Sequence, residues 1–112
     1  MIIPLQGPDC GVAKNEHHAL VEWNDGEHRV VFSACRQGNA LNAHFACGSD
    51  SLRQVRPAIN DFIEWACEAC PWCEFIIAQV GRKSVERLLP KLGFLHLITV
   101  PQGEIFYKEV AK

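Results

Sequence analysis

The sequence predicts an α/β domain of the α+β kind: a mixed sheet in which an antiparallel meander precedes a βαβ crossover and a C-terminal hairpin, with two main helices. Three observations carry this. Residues 17–47 hold three strand-like stretches separated by turn residues. A helical apolar stripe from Leu52 to Cys70 leads into a nearly continuous apolar run, Phe75 to Val80, which suits a strand buried on both faces. Arg82 to Leu92 then changes the apolar period to that of a helix and stops at Gly93.

The elements follow in order. Met1 to Asn15 holds two prolines and two glycines and little periodicity, so it reads as an irregular arm with strand character only at Ile2–Leu5. Residues 16–112 form the core of what reads as one domain, 1–112. His17 to Trp23 is a strand, Asn24-Asp25-Gly26 a hairpin turn because Asp-Gly accepts positive φ, and Glu27 to Cys35 the returning strand. Arg36 to Asn39 turns the chain again. Leu41, Ala43, Phe45 and Cys47 then alternate with Asn42, His44 and Ala46, the period of a third strand.

Gly48 to Ser51 supplies N-cap residues, and Ser51 with Gln54 has capping-box spacing. Leu52, Val55, Ile59, Phe62, Ile63, Ala66 and Cys70 trace one helical face. Pro57 predicts a kink or a start later than Ser51, and Pro71 ends the helix. After the strand at Cys73–Val80, Val85, Leu88, Leu89 and Leu92 form the stripe of a second helix, expected over Arg82–Leu92. Gly93 sits where a helix end takes a left-handed residue. Leu95–Thr99, the turn Pro101-Gln102-Gly103 and Glu104–Val110 close the chain as a hairpin. The strand at Leu41–Cys47 and the strand at Cys73–Val80, joined by a helix, should be parallel neighbours.

The segment Cys73–Phe94 resembles the last conserved block of the GCN5-related N-acetyltransferases, the GNAT family. That block runs from a strand into a helix reading Asn-x-x-Ala-x-x-Leu-Tyr-x-Lys-x-Gly-Phe. Arg82 stands in the Asn place, Val85 in the Ala, Leu88 in the Leu and Leu89 in the Tyr, while Lys91, Gly93 and Phe94 match directly. The element order from His17 onward is similar to the C-terminal two-thirds of that fold. The family's N-terminal strand and helix pair, which shape the acceptor site, are not matched, and shortened acyltransferase-like proteins of bacteriophages look similar.

The resemblance implies an acetyl-CoA cleft between the two parallel strands. Its pyrophosphate would lie on amides around Gly48, Ser49 and Ser51, aided by Arg53 and Arg56, and on those of Gly81, Arg82 and Lys83. Two departures fall on functional positions. Leu89 cannot serve as the general acid that the family's tyrosine provides, and the phosphate loop Cys47–Arg53 has one glycine and an acid, Asp50, that would repel phosphate.

The residues also speak without the resemblance. A strand entering a helix at Gly81 offers unpaired N–H groups beside Arg82 and Lys83, which is either a phosphate site or a solvated basic turn. His44 is either a general base near the reacting group or a hydrogen-bonded strand histidine. Cys67, Cys70 and Cys73 have metal-like spacing, but a fourth ligand would have to come from Cys47 or His44, and core packing explains all three, so no metal is expected. Trp23, Trp65 and Trp72 are large for so small a domain and mark either a second apolar layer or a protein-partner site.

Composition narrows the classes. A net charge of −2 argues against general nucleic-acid binding. No run approaches the ~20 apolar residues of a membrane helix. The N-terminus lacks a basic start and long apolar core, so a cytoplasmic location is expected (the host cytoplasm, for a phage protein), with the six cysteines reduced. Two functions are left: transfer of an acetyl group from acetyl-CoA to an amine, or a GNAT-fold protein without catalysis that binds a host or virion protein.

Overall fold

The computed structural model describes residues 2–14 and 16–110, Ser49 by its backbone alone. Seven strands form one sheet in the order β1-β2-β3-β4-β5-β7-β6. They are β1 (Ile2–Pro4), β2 (Ala19–Asn24), β3 (Arg29–Gln37), β4 (Ala40–Cys47), β5 (Phe75–Val80), β6 (Leu95–Val100) and β7 (Gly103–Glu109). Two α-helices, α1 (Val55–Ala69) and α2 (Lys83–Leu88), complete the fold. Strands β1 to β4 are an antiparallel meander, β5 pairs with β4 in parallel, and β7 is antiparallel to both β5 and β6. The predicted mixed sheet, with its crossover and closing hairpin, is therefore present. No helix among the described residues is long and apolar enough to cross a membrane.

Both helices pack on one face of the sheet. Val55, Ala58, Ile59, Phe62 and Ala66 of α1 and Val85 of α2 join one cluster with Val30, Phe32, Leu41, Ala43, Ile76, Val80 and Phe106 of the strands. Phe62 stacks on Phe32 with centroids 4.4 Å apart, and Trp23 donates from Nε1 to Asp61 Oδ2 at 2.7 Å, tying α1 to β2. Burying this stripe is the main stabilising term of the helix layer.

The first helix starts later than Ser51, as Pro57 predicts, and the second ends earlier than expected, again because of a proline. Residues Ser49–Gln54 form a 3₁₀ segment, and the α-helix begins at Val55, so Pro57 falls in its first turn, where its missing N–H costs nothing. The second helix was expected to run to Leu92. It leaves α geometry after Leu88 and continues as 3₁₀ over Leu89–Leu92, because Pro90 cannot donate to the preceding turn. Gly93 takes φ +91, its N–H reaches Pro90 O at 3.1 Å, and Phe94 N reaches Leu89 O at 3.0 Å. That is a Schellman close, with buried Leu89 and Phe94 supplying its apolar contact.

The N-terminal arm is more organised than its composition implies. Ile2–Pro4 pairs with Trp23–Val21 as a sheet edge. The following residues then cross the face that the helices leave bare. Val12 is buried there, and Ser33 Oγ donates to the Ala13 carbonyl. Glu22, fully buried on the same face, accepts from Arg29 Nε and Nη2 at 3.0 Å each, from Asn24 Nδ2 at 2.9 Å and from the Gln6 amide at 2.7 Å. Arg29 Nη2 also donates to the Pro8 carbonyl, so one ion pair fastens the arm to the sheet. Met1 and Asn15 of the expected arm lie outside the described residues.

Candidate functional site

The site is a fork in the sheet. The parallel pairing of β4 with β5 runs only from Ala40↔Phe75 to Ala43↔Ala78. Beyond it β4 continues to Cys47 against β3, and β5 continues to Val80 against β7. Each strand keeps its outer partner, so the two diverge. The wedge between them opens as a cleft of about 230 Å³, lined by Phe45, Ala46 and Cys47 on one side and by Gln79, Val80, Gly81, Arg82 and Val85 on the other, with Cys10 of the arm at its mouth. A second, narrow apolar void of about 30 Å³ lies on the core side of Phe45, lined by His44, Ala78, Phe62 and Leu89 among others. Phe45 borders both.

His44 sits at the fork, one residue past the last parallel pair. It is half-buried and stands opposite Ser33. Its ring lies 5.7 Å from that of His18. Burial, and secondarily the neighbouring His18, hold its pKa below that of a free histidine. It is therefore a neutral imidazole at neutral pH, the form that accepts a proton. Burial pushes the Cys47 thiol up, against the pull of Arg82, so Cys47 keeps its proton in the cleft.

The other residues expected at a cofactor site divide. Gly81 and Arg82 line the cleft, and exposed Lys83 opens α2 beside it. Gly48 and Arg53 follow Cys47 in the loop and the 3₁₀ segment, outside the lining, and Ser49 opens that segment. Ser51 turns inward: its side chain is buried, its Oγ accepts from the Arg29 amide at 3.4 Å, and its own amide donates to Gly48 O at 3.0 Å. Asp50 folds over the loop, its Oδ1 lying 2.8 Å from where a Cβ on Gly48 would stand. Leu89, in the tyrosine's place, is buried beside the void.

Cys73 is buried and its Sγ donates to the Phe75 carbonyl at 3.2 Å, while Cys67 and Cys70 are half-buried against the core. Among the described residues no three His, Cys, Asp or Glu side chains converge as metal ligands would. The tryptophans do not form an exposed patch. Trp23 is buried, Trp65 packs on Phe62 with centroids 5.5 Å apart, and the Arg36 guanidinium lies 4.2 Å over half-buried Trp72. Cys10, Gln79 and His18 escaped the sequence reading. Their places depend on contacts distant in sequence, and no local pattern marks them.

No family profile and no curated protein matches the chain. Among solved structures it is similar to that of an uncharacterized protein (bh2621) from Bacillus halodurans, at 15% identity with a TM-score of 0.69. The match covers 85% of this chain and 60% of that one. At that identity the likeness is one of fold. The class the fold defines is a small α+β protein built on a seven-stranded mixed sheet with a fork at its one parallel pair.

Proposed function

We propose that the protein is a GNAT-like acyltransferase that moves an acetyl group from acetyl-CoA to an amine. The observation that carries this is the fork: two parallel strands that part after Ala43 and Ala78 with a cleft between them, and His44 on β4 one residue past the last parallel pair. A pantetheine arm is an extended chain with amide groups. It fits between two strands whose inner N–H and C=O groups have lost their neighbours. The thioester carbonyl would then reach toward His44, and neutral His44, or a water it holds, would take the proton of the attacking amine. Arg82 and Lys83 would face the pyrophosphate from the α2 side. Leu89 cannot protonate the departing thiolate, and Cys47, whose thiol burial makes a weaker acid, lines the cleft without supplying an evident replacement. Catalysis would rest chiefly on positioning.

A second reading has specific support. Asp50 lies over the phosphate loop, and Leu89 seals the tyrosine's position with hydrocarbon. A protein that kept the fold and binds another protein without catalysis would show both. Calorimetric titration with acetyl-CoA separates the two. Under the acyltransferase reading acetyl-CoA binds, and Asp50→Ser, which removes the carboxylate from the loop, tightens binding by about 10-fold. No heat at millimolar acetyl-CoA with either protein removes that reading.

A further inference from the structure

Two of the six cysteines meet at the cleft of the fork. Cys47 ends β4 on one wall, and Cys10 of the arm stands at the mouth. The other four lie elsewhere: Cys35 on β3, Cys73 buried before β5, and Cys67 and Cys70 against the core at the end of α1. Cys10 is exposed and Cys47 half-buried, so both are open to a small reagent.

The arm holds Cys10 there by a tight turn. The Val12 amide donates to the Asp9 carbonyl at 3.1 Å, and the Gly11 amide donates to Asp9 Oδ1 at 2.9 Å. Lys14 pairs with the same carboxylate. The two central residues of the turn take φ +55 at Cys10 and +75 at Gly11. Among the described residues, Cys10 is the only one besides glycine with positive φ. Left-handed backbone is disfavoured for cysteine, and such turns ordinarily place asparagine or glycine at this position. Anchors on both sides keep the strained residue in place. Arg29 Nη2 donates to the Pro8 carbonyl at 3.0 Å, Val12 is buried, and Ser33 Oγ donates to the Ala13 carbonyl. Burial, against the pull of Arg82, raises the pKa of Cys47, and a charge on Cys10 raises it further. The two sulfurs therefore lie within electrostatic reach of one another at the cleft.

We infer that Cys10 and Cys47 form a reversible redox pair whose disulfide pins the arm across the mouth of the cleft. The oxidant is a low-molecular disulfide of the glutathione class. Exposed Cys10, as its thiolate, attacks one sulfur of the reagent; a mixed disulfide forms and the first reagent thiolate leaves. Cys47 then loses its proton to solvent, with the Arg82 guanidinium favouring the thiolate, and attacks the Cys10 sulfur. The Cys10–Cys47 bond forms and the second reagent thiolate leaves. The pair gives up two electrons and two protons, and the reagent takes up both as two thiols. Excess reagent thiol reverses both steps. Where thiols are ordinarily kept reduced, a disulfide of this transient kind is the one that senses redox state.

The test follows the bond itself and needs no cofactor, so its outcome is independent of the acyltransferase proposal. The reduced full chain is equilibrated at about pH 8 with glutathione buffers of rising disulfide content. Free thiols are trapped by alkylation, and peptides are mapped by mass spectrometry without reduction. The first intramolecular bond should join Cys10 to Cys47, and the melting temperature should rise by roughly 10 °C. Excess reduced glutathione should restore both thiols. Cys10→Ser should lose the bond and the rise in melting temperature while keeping the wild-type circular dichroism spectrum. Should Cys10→Ser fail to fold, Cys47→Ala takes its place. A wild type with no intramolecular bond in the most oxidising buffer overturns the inference. So does a first bond between other cysteines, or an oxidised chain that melts no higher than the reduced one.

Discussion

His44 shows how much one position in a ladder can decide. One residue earlier, Ala43 still pairs in parallel with Ala78; at His44 that pairing has ended and the ring lies beside that of His18. Because burial lowers its pKa, the folded protein binds its proton less readily than the unfolded chain does. Between the lowered value and the 6.5 of free histidine, stability therefore rises with pH, and it is lost as pH falls through that window. The same sign governs the proposed reaction. Its rate should be flat above about 6.5 and fall on the acid side, with the midpoint below 6.5. His44→Gln should lower kcat by roughly 10²-fold or more and abolish that acid limb. A pH–rate profile of both proteins checks this, and an unchanged limb in His44→Gln would assign the titration to another group.

Among the elements, two glycines of positive φ test how the β5–α2 unit is held. Gly93, at φ +91, ends the 3₁₀ segment, and a Cβ there would meet only the flexible Lys108 Nζ at 2.6 Å. Gly93→Ala should cost about 1 kcal/mol, the strain of a left-handed alanine. Gly103 opens β7 at φ +143, where a Cβ would stand 2.2 Å from the Val80 carbonyl oxygen. Backbone cannot yield as a lysine tip can. Gly103→Ala should therefore cost roughly 3 kcal/mol or more and detach the start of β7 from the end of β5. Urea unfolding of the two variants gives the comparison, and equal losses would show that the Val80–Gly103 approach is not tight in solution.

Across the whole molecule, the two faces of the sheet are covered by different means. The helices cover one with a continuous apolar layer. On the other the arm covers the β2–β3 part, held by the Glu22–Arg29 pair. Hydrogen bonds from Arg29 foremost, then from Gln6 and Asn24, lower the Glu22 pKa from 4.5 to about 2 despite its burial. The unfolded chain binds the proton first, so this stabilisation is whole above 4.5 and is lost as pH falls toward 2; its size is roughly 3 kcal/mol. Glu22→Gln should be less stable at neutral pH by about that amount and should lose much of the pH dependence between 4.5 and 2. Melting curves at pH 7 and pH 3 check it. Proteolysis at acid pH should cut first in the arm, between Gln6 and Lys14, as its anchors protonate.

The local sequence determined the strands, the helix stripes, the left-handed stop at Gly93 and the parallel crossover, because each depends on neighbours within a few residues or on the period of apolar side chains. It also placed His44 on the strand that forks. The prolines were visible in the letters, yet where each helix gave way was settled by the packing around Val55 and Leu89. Only the tertiary structure decided that β4 and β5 part after four paired positions, that His18 stands by His44, and that Cys10 and Cys47 share a cleft. Each of these joins residues far apart in the chain. Such contacts follow from how the whole sheet twists and pairs, and no local period encodes them.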